Sequence, residues 1–271
     1  MSDTASEHQE AVAHKSVVEP LWTEPVFNAC NPAANIPDAS SVLVAEARCG
    51  YVPIQIVKSL GEDTRIIALD PSRAMLDQAR QRISDDVARR VFFVPQRVNS
   101  LTYADDVFRA AVCVNGVVTV RQATEAASEL SRVTAPGGTV TLAAPLRDAF
   151  PEFYDMVDEA LRAHHLHDVL GRMHELRASF LTPSRLADIA AEVGLLEVVV
   201  DELSWDVEFG SGQELIMSPL IRETFFAHWI GVIRSSDREP VLRYVADAID
   251  MYWHDRRFCC QVRAGCVSGM R

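Results

Sequence analysis

Short apolar runs alternate with amphipathic segments between residues 41 and 144, and this alternation constrains the fold more than any other feature. The runs are residues 42–45, 65–69, 91–94, 110–114 and 139–144. Apolar runs of this length are typical of strands that are buried on both faces. Because a parallel connection needs a crossover helix, the alternation predicts an α/β fold with helices on both faces of a parallel sheet.

The pattern becomes less regular after Pro145. We predict a helical region over residues 151–174, and a helix that begins after the N-cap Thr182. The remaining segments are a strand at 195–200, amphipathic stretches at 219–233 and 240–252, and a last strand at 258–267. No long polar linker divides the chain, which favours one domain.

The domain prediction separates a polar N-terminal segment from the rest of the chain. Residues 1 to about 20 lack periodicity, so we expect residues 1–40 to form a mobile or loosely docked arm. Residues 41–271 are expected to form the domain, with helical insertions near 150–180 and 210–255.

Composition excludes several classes of function. The chain has 271 residues, with 26 Lys and Arg against 38 Asp and Glu, and its net charge of −12 argues against general nucleic-acid binding. Charges interrupt every apolar run well before the roughly 20 residues that a membrane span needs. The N-terminus has no secretory pattern, and the six cysteines have no zinc spacing. We expect a cytoplasmic protein without a metal site.

Gly50 and Asp70 lie where a sheet of this kind binds its ligand. Gly50 closes the loop after the first strand, and Asp70 ends the second strand. Ligands of open parallel sheets sit at the carboxyl ends of the strands, where an acidic residue can hold ribose hydroxyls. An Asp at this place is also a common helix cap, so ribose binding and capping both stay open.

Three segments resemble the class I S-adenosylmethionine-dependent methyltransferases, namely residues 42–50, 66–76 and 129–138. The second and third match the family well, and the resemblance covers about residues 40–200. It implies a doubly wound, mostly parallel seven-stranded sheet whose last strand, from Phe258, is antiparallel. It also implies S-adenosylmethionine as the cofactor.

The loop after the first strand departs from the family pattern. Family members usually have an acidic residue where this chain has Val44, and glycines where it has Glu46 and Arg48, so that only Gly50 remains. Those glycines let backbone amides approach the methionine part of the cofactor and adopt angles closed to other residues. We expect Glu46 and Arg48 to block both. Glu46 places a negative charge near the cofactor's carboxylate, with which Arg48 could pair.

The resemblance also implies positions for two asparagines. The family often has an acidic residue near the adenine, where this chain has Arg97, and Asn99 nearby could hydrogen-bond a base. Asn115 follows the fourth strand, where the family places groups beside the transferred methyl, although a turn residue is the favoured interpretation. The candidate cofactor-binding residues are Glu46, Arg48, Gly50, Asp70, Asn99 and Asn115. No residue is identified as catalytic.

Two clusters have simpler explanations than a functional site. His164, His167 and His174 could share one helix face, but metal sites need a tighter ligand set, and a structural or exposed face is favoured. A general-base histidine for the methyl acceptor is a further alternative. Aromatic residues recur at helical spacing and favour packing against the sheet or against another subunit, which leaves a homo-oligomer open. They are Phe225, Phe226, Trp229, Tyr252 and Trp253.

Three functions remain open. The first is a methyltransferase-like module with weakened or lost cofactor binding, which binds a small molecule or a protein partner and is favoured by the changes at Val44, Glu46 and Arg48. The second is an active methyltransferase that acts on a small molecule, supported by Asp70 and Asn99. The third, a dinucleotide-dependent oxidoreductase, is least favoured because the phosphate-binding glycine loop is absent.

Overall fold

Seven strands form one sheet in this computed structural model, which describes residues 2–38 and 40–271. They are β1 (Ser41–Ala45), β2 (Arg65–Asp70), β3 (Val91–Pro95), β4 (Phe108–Cys113), β5 (Thr134–Pro145), β6 (Leu196–Phe209) and β7 (Phe258–Met270). Their order is β3-β2-β1-β4-β5-β7-β6. Strands β1 to β5 are parallel, and β7 is antiparallel to both of its neighbours. The predicted doubly wound, mostly parallel sheet is confirmed.

Helices cover both faces of the sheet. The first half of the chain contains α1 (Ser2–Ala13), a π-helix (His14–Thr23), α2 (Glu24–Cys30), a 3-10 helix (Pro32–Asn35), α3 (Tyr51–Ser59), α4 (Arg73–Gln81), α5 (Asp85–Ala88) and α6 (Val120–Val133). The second half contains α7 (Pro151–Ala163), α8 (His167–Ala178), α9 (Pro183–Glu192), α10 (Gly212–Met217), α11 (Pro219–Ile221), a second π-helix (Arg222–Phe226), α12 (Ala227–Val232) and α13 (Ser235–Tyr252). None of the helices in these ranges has the length and apolar character needed to cross a membrane.

Strand β1 shows how the sheet divides the core. Val42 and Val44 belong to the layer that contains α3 and the N-terminal helices, whereas Leu43 and Ala45 belong to the layer of α6 and α9. Successive side chains of a strand point to opposite faces, and both faces of β1 are covered. An uninterrupted apolar run is therefore the pattern that this central position requires.

The N-terminal segment differs from the expected loosely docked arm. Residues 2–30 are helical, and Val18, Trp22 and Val26 are buried against the sheet. The Trp22 indole Nε1 donates a hydrogen bond to the Val114 carbonyl at 3.2 Å. These three apolar residues recur every fourth position, but Pro20 and Pro25 interrupt the segment and weaken a helix prediction. The proposed domain boundaries remain a prediction.

The predicted helical region over residues 151–174 is two helices, α7 and α8. The chain turns between them, where His165 adopts a φ of 56°. His164 and His167 therefore do not share one helix face, contrary to the spacing argument. His174 instead lies with its Nε2 2.9 Å from Asp158 Oδ2. Among the described residues, no group of three or more His, Cys, Asp or Glu side chains is placed to hold a metal ion.

The aromatic residues of the second π-helix and α12 pack in the core. Phe225 and Trp229 are buried, with ring centroids 5.7 Å apart. The Trp229 indole donates to the Tyr154 hydroxyl at 2.6 Å. Core packing, the favoured interpretation, is confirmed for these two residues. Tyr252 is exposed.

Candidate cofactor site

The candidate residues meet at the carboxyl edge of three central strands. Glu46 and Arg48 follow β1, Asp70 ends β2, and Asn115 follows β4. The Arg48 guanidinium has Nη2 3.8 Å from Glu46 Oε2 and Nη1 3.9 Å from Asp70 Oδ2. The Asn115 side-chain amide donates to the Glu46 carbonyl at 3.4 Å. The sheet topology thus brings together residues that are up to 69 positions apart.

Backbone amides of the chain donate to both oxygens of the Asp70 carboxylate. Its Oδ2 accepts from the Arg48 amide at 2.9 Å, and its Oδ1 accepts from the Ser72 amide at 2.8 Å. The side chain has no solvent exposure. Ser72, rather than Asp70, is the N-cap of α4, since its hydroxyl accepts from the Met75 amide. Asp70 therefore ties the loop after β1 to the turn before α4.

The loop after β1 has a left-handed backbone at Glu46, Arg48 and Gly50. Their φ angles are 51°, 50° and 86°. The expectation that Glu46 and Arg48 exclude such angles is wrong: both residues adopt them. A non-glycine residue there costs on the order of 1–3 kcal/mol, which the surrounding structure must offset. Glu46 and Arg48 differ from the family glycines mainly in the space that their side chains fill.

Gly50 and Gly116 are required by close packing. A Cβ at Gly50 would lie 2.7 Å from the Cβ of Ala79, so Gly50 lets α4 approach the start of α3. A Cβ at Gly116, whose φ is 75°, would lie 2.8 Å from the Cγ of Glu46. The Glu46 side chain thus occupies the space directly above the loop that follows β4.

Arg48 lies between two cavities of different size. The larger, of about 260 Å³, is lined by Arg48, Glu46, Arg97 and Asn99, among others. The smaller, of about 20 Å³, lies between Arg48 and the N-terminal π-helix. A space of that size holds about one water molecule. The edge of the sheet therefore has more space on the Asn99 side than on the side of the N-terminal helices.

The two candidate asparagines have different surroundings. Asn99 lines the larger cavity and donates through Nδ2 to Glu125 at 3.3 Å. Asn115 is buried, and its Oδ1 accepts from the Thr23 hydroxyl at 2.9 Å. Since its amide group also bonds the Glu46 carbonyl, Asn115 joins the N-terminal segment to the loop after β1. It is more than the turn residue that the sequence favoured.

Burial and charge pairing oppose each other at this site. Burial raises the pKa of Glu46, although the nearby Arg48 acts to lower it. Burial acts to lower the pKa of Arg48, but Asp70 and Glu46 outweigh it, and the net shift is upward. Arg48 therefore stays cationic, whereas Glu46 is easier to protonate than an exposed glutamate.

Two ion pairs that hold the N-terminal π-helix have no signal in the sequence, and the residues of the first pair line the smaller cavity. His14 is buried on the N-terminal π-helix, and its Nδ1 lies 2.8 Å from Glu223 Oε2 on the second π-helix. Glu19 holds Arg82 through contacts of 2.6 and 2.9 Å. These partners are 209 and 63 positions apart, and nothing in their local sequence indicates the pairing.

Comparison with known proteins gives a consistent family. A family described as a methyltransferase domain matches residues 44–138, from the end of β1 to the first part of β5. A demethylmenaquinone methyltransferase of Halalkalibacterium halodurans is 28% identical over 183 residues, which are 63% of this chain and 73% of that protein.

Solved structures share the fold at low sequence identity. The YcgJ protein of Bacillus subtilis aligns with a TM-score of 0.53 and 14% identity, over 92% of this chain and 98% of its own. Geranyl diphosphate C-methyltransferase of Streptomyces coelicolor A3(2), solved with Mg²⁺, geranyl diphosphate and S-adenosyl-L-homocysteine, aligns with a TM-score of 0.52 and 9% identity, over 92% and 79%. The solved structures show a class I methyltransferase-like fold, and the matched segment and the curated relative support a class I S-adenosylmethionine-dependent methyltransferase-like family.

Proposed function

We propose that this protein uses the methyltransferase fold as a binding or regulatory module, with weakened or lost binding of S-adenosylmethionine. The observation that carries the proposal is the position of Arg48. Its guanidinium lies between Glu46 and Asp70, at the edge where the family holds its cofactor. The partner is a small molecule or another protein.

The surroundings of Asp70 support weakened binding of the ribose part of the cofactor. A ribose-binding carboxylate must offer an oxygen to the ligand hydroxyls. Both oxygens of Asp70 accept backbone amides, and its side chain is fully buried. Arg48 supplies one of these amides and also lies against the same carboxylate. Ribose binding would compete with these contacts between Arg48 and Asp70.

The methionine part has still less room. Arg48 and Trp22 line the cavity of about 20 Å³ on that side, and His14 and Glu223 complete its wall. Trp22 is held there by its hydrogen bond to the Val114 carbonyl. These side chains leave little space beside Arg48, which supports the proposed weakening of cofactor binding, and we expect this edge to bind and orient a ligand without methyl transfer.

The cysteines support a location in the cytoplasm. All six are free thiols, and four of them are buried. Free thiols persist in reducing compartments.

An affinity comparison tests the proposed loss of cofactor binding. The variant Glu46→Gly/Arg48→Gly restores the two family glycines, and both positions already have the left-handed backbone that glycine prefers. We expect it to bind S-adenosylhomocysteine at least about tenfold more tightly than the wild type. Val44 is left unchanged because it is buried in β1, where an aspartate would endanger folding.

The matched control is His165→Gly, which also replaces a left-handed residue, in the turn between α7 and α8. It should leave the affinity unchanged. A folded double variant that binds no better than the wild type, or a wild type that already binds with micromolar affinity, would contradict the proposal.

An active methyltransferase that acts on a small molecule is the second candidate. The cavity of about 260 Å³ beside Asn99 favours it, because that side of the edge has space for a ligand. The demethylmenaquinone methyltransferase relative favours it as well. Micromolar binding of S-adenosylmethionine by the wild type would select this candidate.

A further inference from the structure

We propose that Arg48 binds the phosphate or carboxylate group of a small hydroxylated ligand in the cavity of about 260 Å³. The inference rests on the proposed function, because it assigns the same edge of the sheet to a ligand other than the methyl donor. It defines the class of small molecule that the module would recognise.

The first observation is the unused donor capacity of Arg48. A guanidinium carries five N–H donors. Within the described residues, the Arg48 guanidinium donates no hydrogen bond, and its Nε is buried without a partner. The nearest carboxylate oxygens, on Glu46 and Asp70, are 3.8 and 3.9 Å away, which is too far for a hydrogen bond.

Other well-packed arginines of this protein are satisfied. Arg82 donates to both carboxylate oxygens of Glu19, at 2.6 and 2.9 Å. Arg132 does the same with Glu129, at 2.8 and 2.9 Å. Arg90 is buried and donates to three backbone carbonyls. Arg48 differs from these three arginines because its Nε is buried without a partner at a cavity wall, and a forked phosphate or carboxylate is an acceptor that matches it.

The charges of the cavity define the rest of the ligand. Arg97 lines the same space as Arg48 and adds a second positive charge for an anionic group. Glu46 and Glu125 also line it, and they repel further anionic groups while accepting hydrogen bonds. A ligand with one anionic end and hydroxyl donors elsewhere therefore suits the lining. A volume of about 260 Å³ is at the small end for ligand pockets, which favours a short polyol acid or phosphate ester.

The experiment compares matched probes by calorimetric titration. Glycerol 3-phosphate and glycerate carry a phosphate or a carboxylate on the same short skeleton, and glycerol carries neither. We expect at least one anionic probe to bind about tenfold or more tightly than glycerol. Whichever anion binds more tightly identifies the group that Arg48 recognises.

Three variants complete the test. Arg48→Gln should lose about tenfold or more of the anion affinity. Arg48→Lys keeps the charge but not the paired donors of the guanidinium, so its anion affinity should be intermediate between those of Arg48→Gln and the wild type. Arg243→Gln, at an exposed arginine paired with Glu239, should bind like the wild type. Equal binding of glycerol, no binding of either anion at millimolar concentration, or full affinity in Arg48→Gln would overturn the inference. A thermal melt of each variant shows whether it is folded.

A parallel titration with S-adenosylmethionine separates the two proposals. If the wild type binds the methyl donor with micromolar affinity, the proposed function fails, and the anion inference is judged on the glycerol comparison alone. If neither the methyl donor nor either anion binds, the anion inference fails and the proposed function survives.

Discussion

The Cγ of Glu46 lies 2.8 Å from the point where a Cβ would stand on Gly116. Gly116 also has a φ of 75°, which strains any residue with a Cβ. We predict that Gly116→Ala lowers the free energy of unfolding by about 1–3 kcal/mol. Urea denaturation measures the loss.

A double variant separates the two causes of that loss. Glu46→Gly removes the side chain that the new Cβ would meet, but it leaves the φ of position 116 unchanged. Glu46→Gly/Gly116→Ala should therefore recover part of the free energy relative to Glu46→Gly. If the cost of Gly116→Ala is the same in both backgrounds, the two side chains do not compete for this space.

The Glu19 and Arg82 pair holds the N-terminal segment on the domain. Both side chains are partly buried, and the guanidinium also donates to the Cys49 carbonyl at 3.1 Å. We predict that Glu19→Gln costs about 1–3 kcal/mol and speeds amide hydrogen exchange in residues 2–30. Glu239→Gln, in an exposed ion pair with Arg243, is the control and should leave amide exchange in residues 2–30 unchanged. Unchanged exchange in Glu19→Gln would show that apolar contacts alone dock the segment.

Two glutamates should give opposite dependences of stability on pH. The folded-state pKa of Glu46 is raised by burial, so its ionised form destabilises the fold once the pH rises above the usual 4.5. The pKa of Glu129 is lowered by its hydrogen bonds with Arg132, so its ionised form stabilises the fold above 4.5, and this is lost as the pH falls through the lowered value.

Substitution with glutamine tests these signs. Relative to the wild type, Glu46→Gln should become more stable as the pH rises from 4 towards 8, and Glu129→Gln less stable. The charges that face Glu46 are Arg48, Asp70 and Arg97, with Glu125 across the cavity. Unfolding free energies at several pH values give the pH dependence of each variant relative to the wild type. If both variants change in the same direction as the pH rises, the assigned causes are wrong.

The buried bond between Trp229 and Tyr154 should contribute measurably to stability. Tyr154→Phe leaves the indole N–H of Trp229 without its acceptor at 2.6 Å. We predict a loss of about 1–2 kcal/mol in unfolding free energy. Tyr252→Phe removes an exposed hydroxyl that bonds Glu159, and it should cost less than about 0.5 kcal/mol. Similar losses of unfolding free energy in both variants would mean that the buried hydrogen bond contributes no more to stability than the exposed one.

Much of the fold was predictable because its signals are local. The β1 run is apolar on both sides, and Thr182 caps α9 by accepting from the Arg185 amide, as its sequence predicts. The N-terminal helices were missed because residues 1–16 are mostly polar and because Pro20 and Pro25 interrupt the apolar segment that follows. The split between α7 and α8 was missed because the turn at His165 has no glycine or proline to mark it.

The site was predictable in position but not in detail. Because parallel strands run in the same direction, their carboxyl ends lie at one edge of the sheet. Glu46, Arg48 and Asp70 follow or end such strands and were therefore expected at that edge. The left-handed backbone at Glu46 and Arg48 could not be expected from residue types that disfavour it. His14 and Glu223, which line the smaller cavity, are 209 positions apart in the chain, and a contact of this separation cannot be predicted from sequence periodicity.

Direct titration of the wild-type protein with S-adenosylhomocysteine, extended to millimolar ligand, tests the central claim that Arg48 and Glu46 weaken or abolish cofactor binding. We predict a dissociation constant in the millimolar range or no detectable heat. Micromolar binding would contradict the account, because it would require Arg48 to leave Asp70 at little cost in free energy.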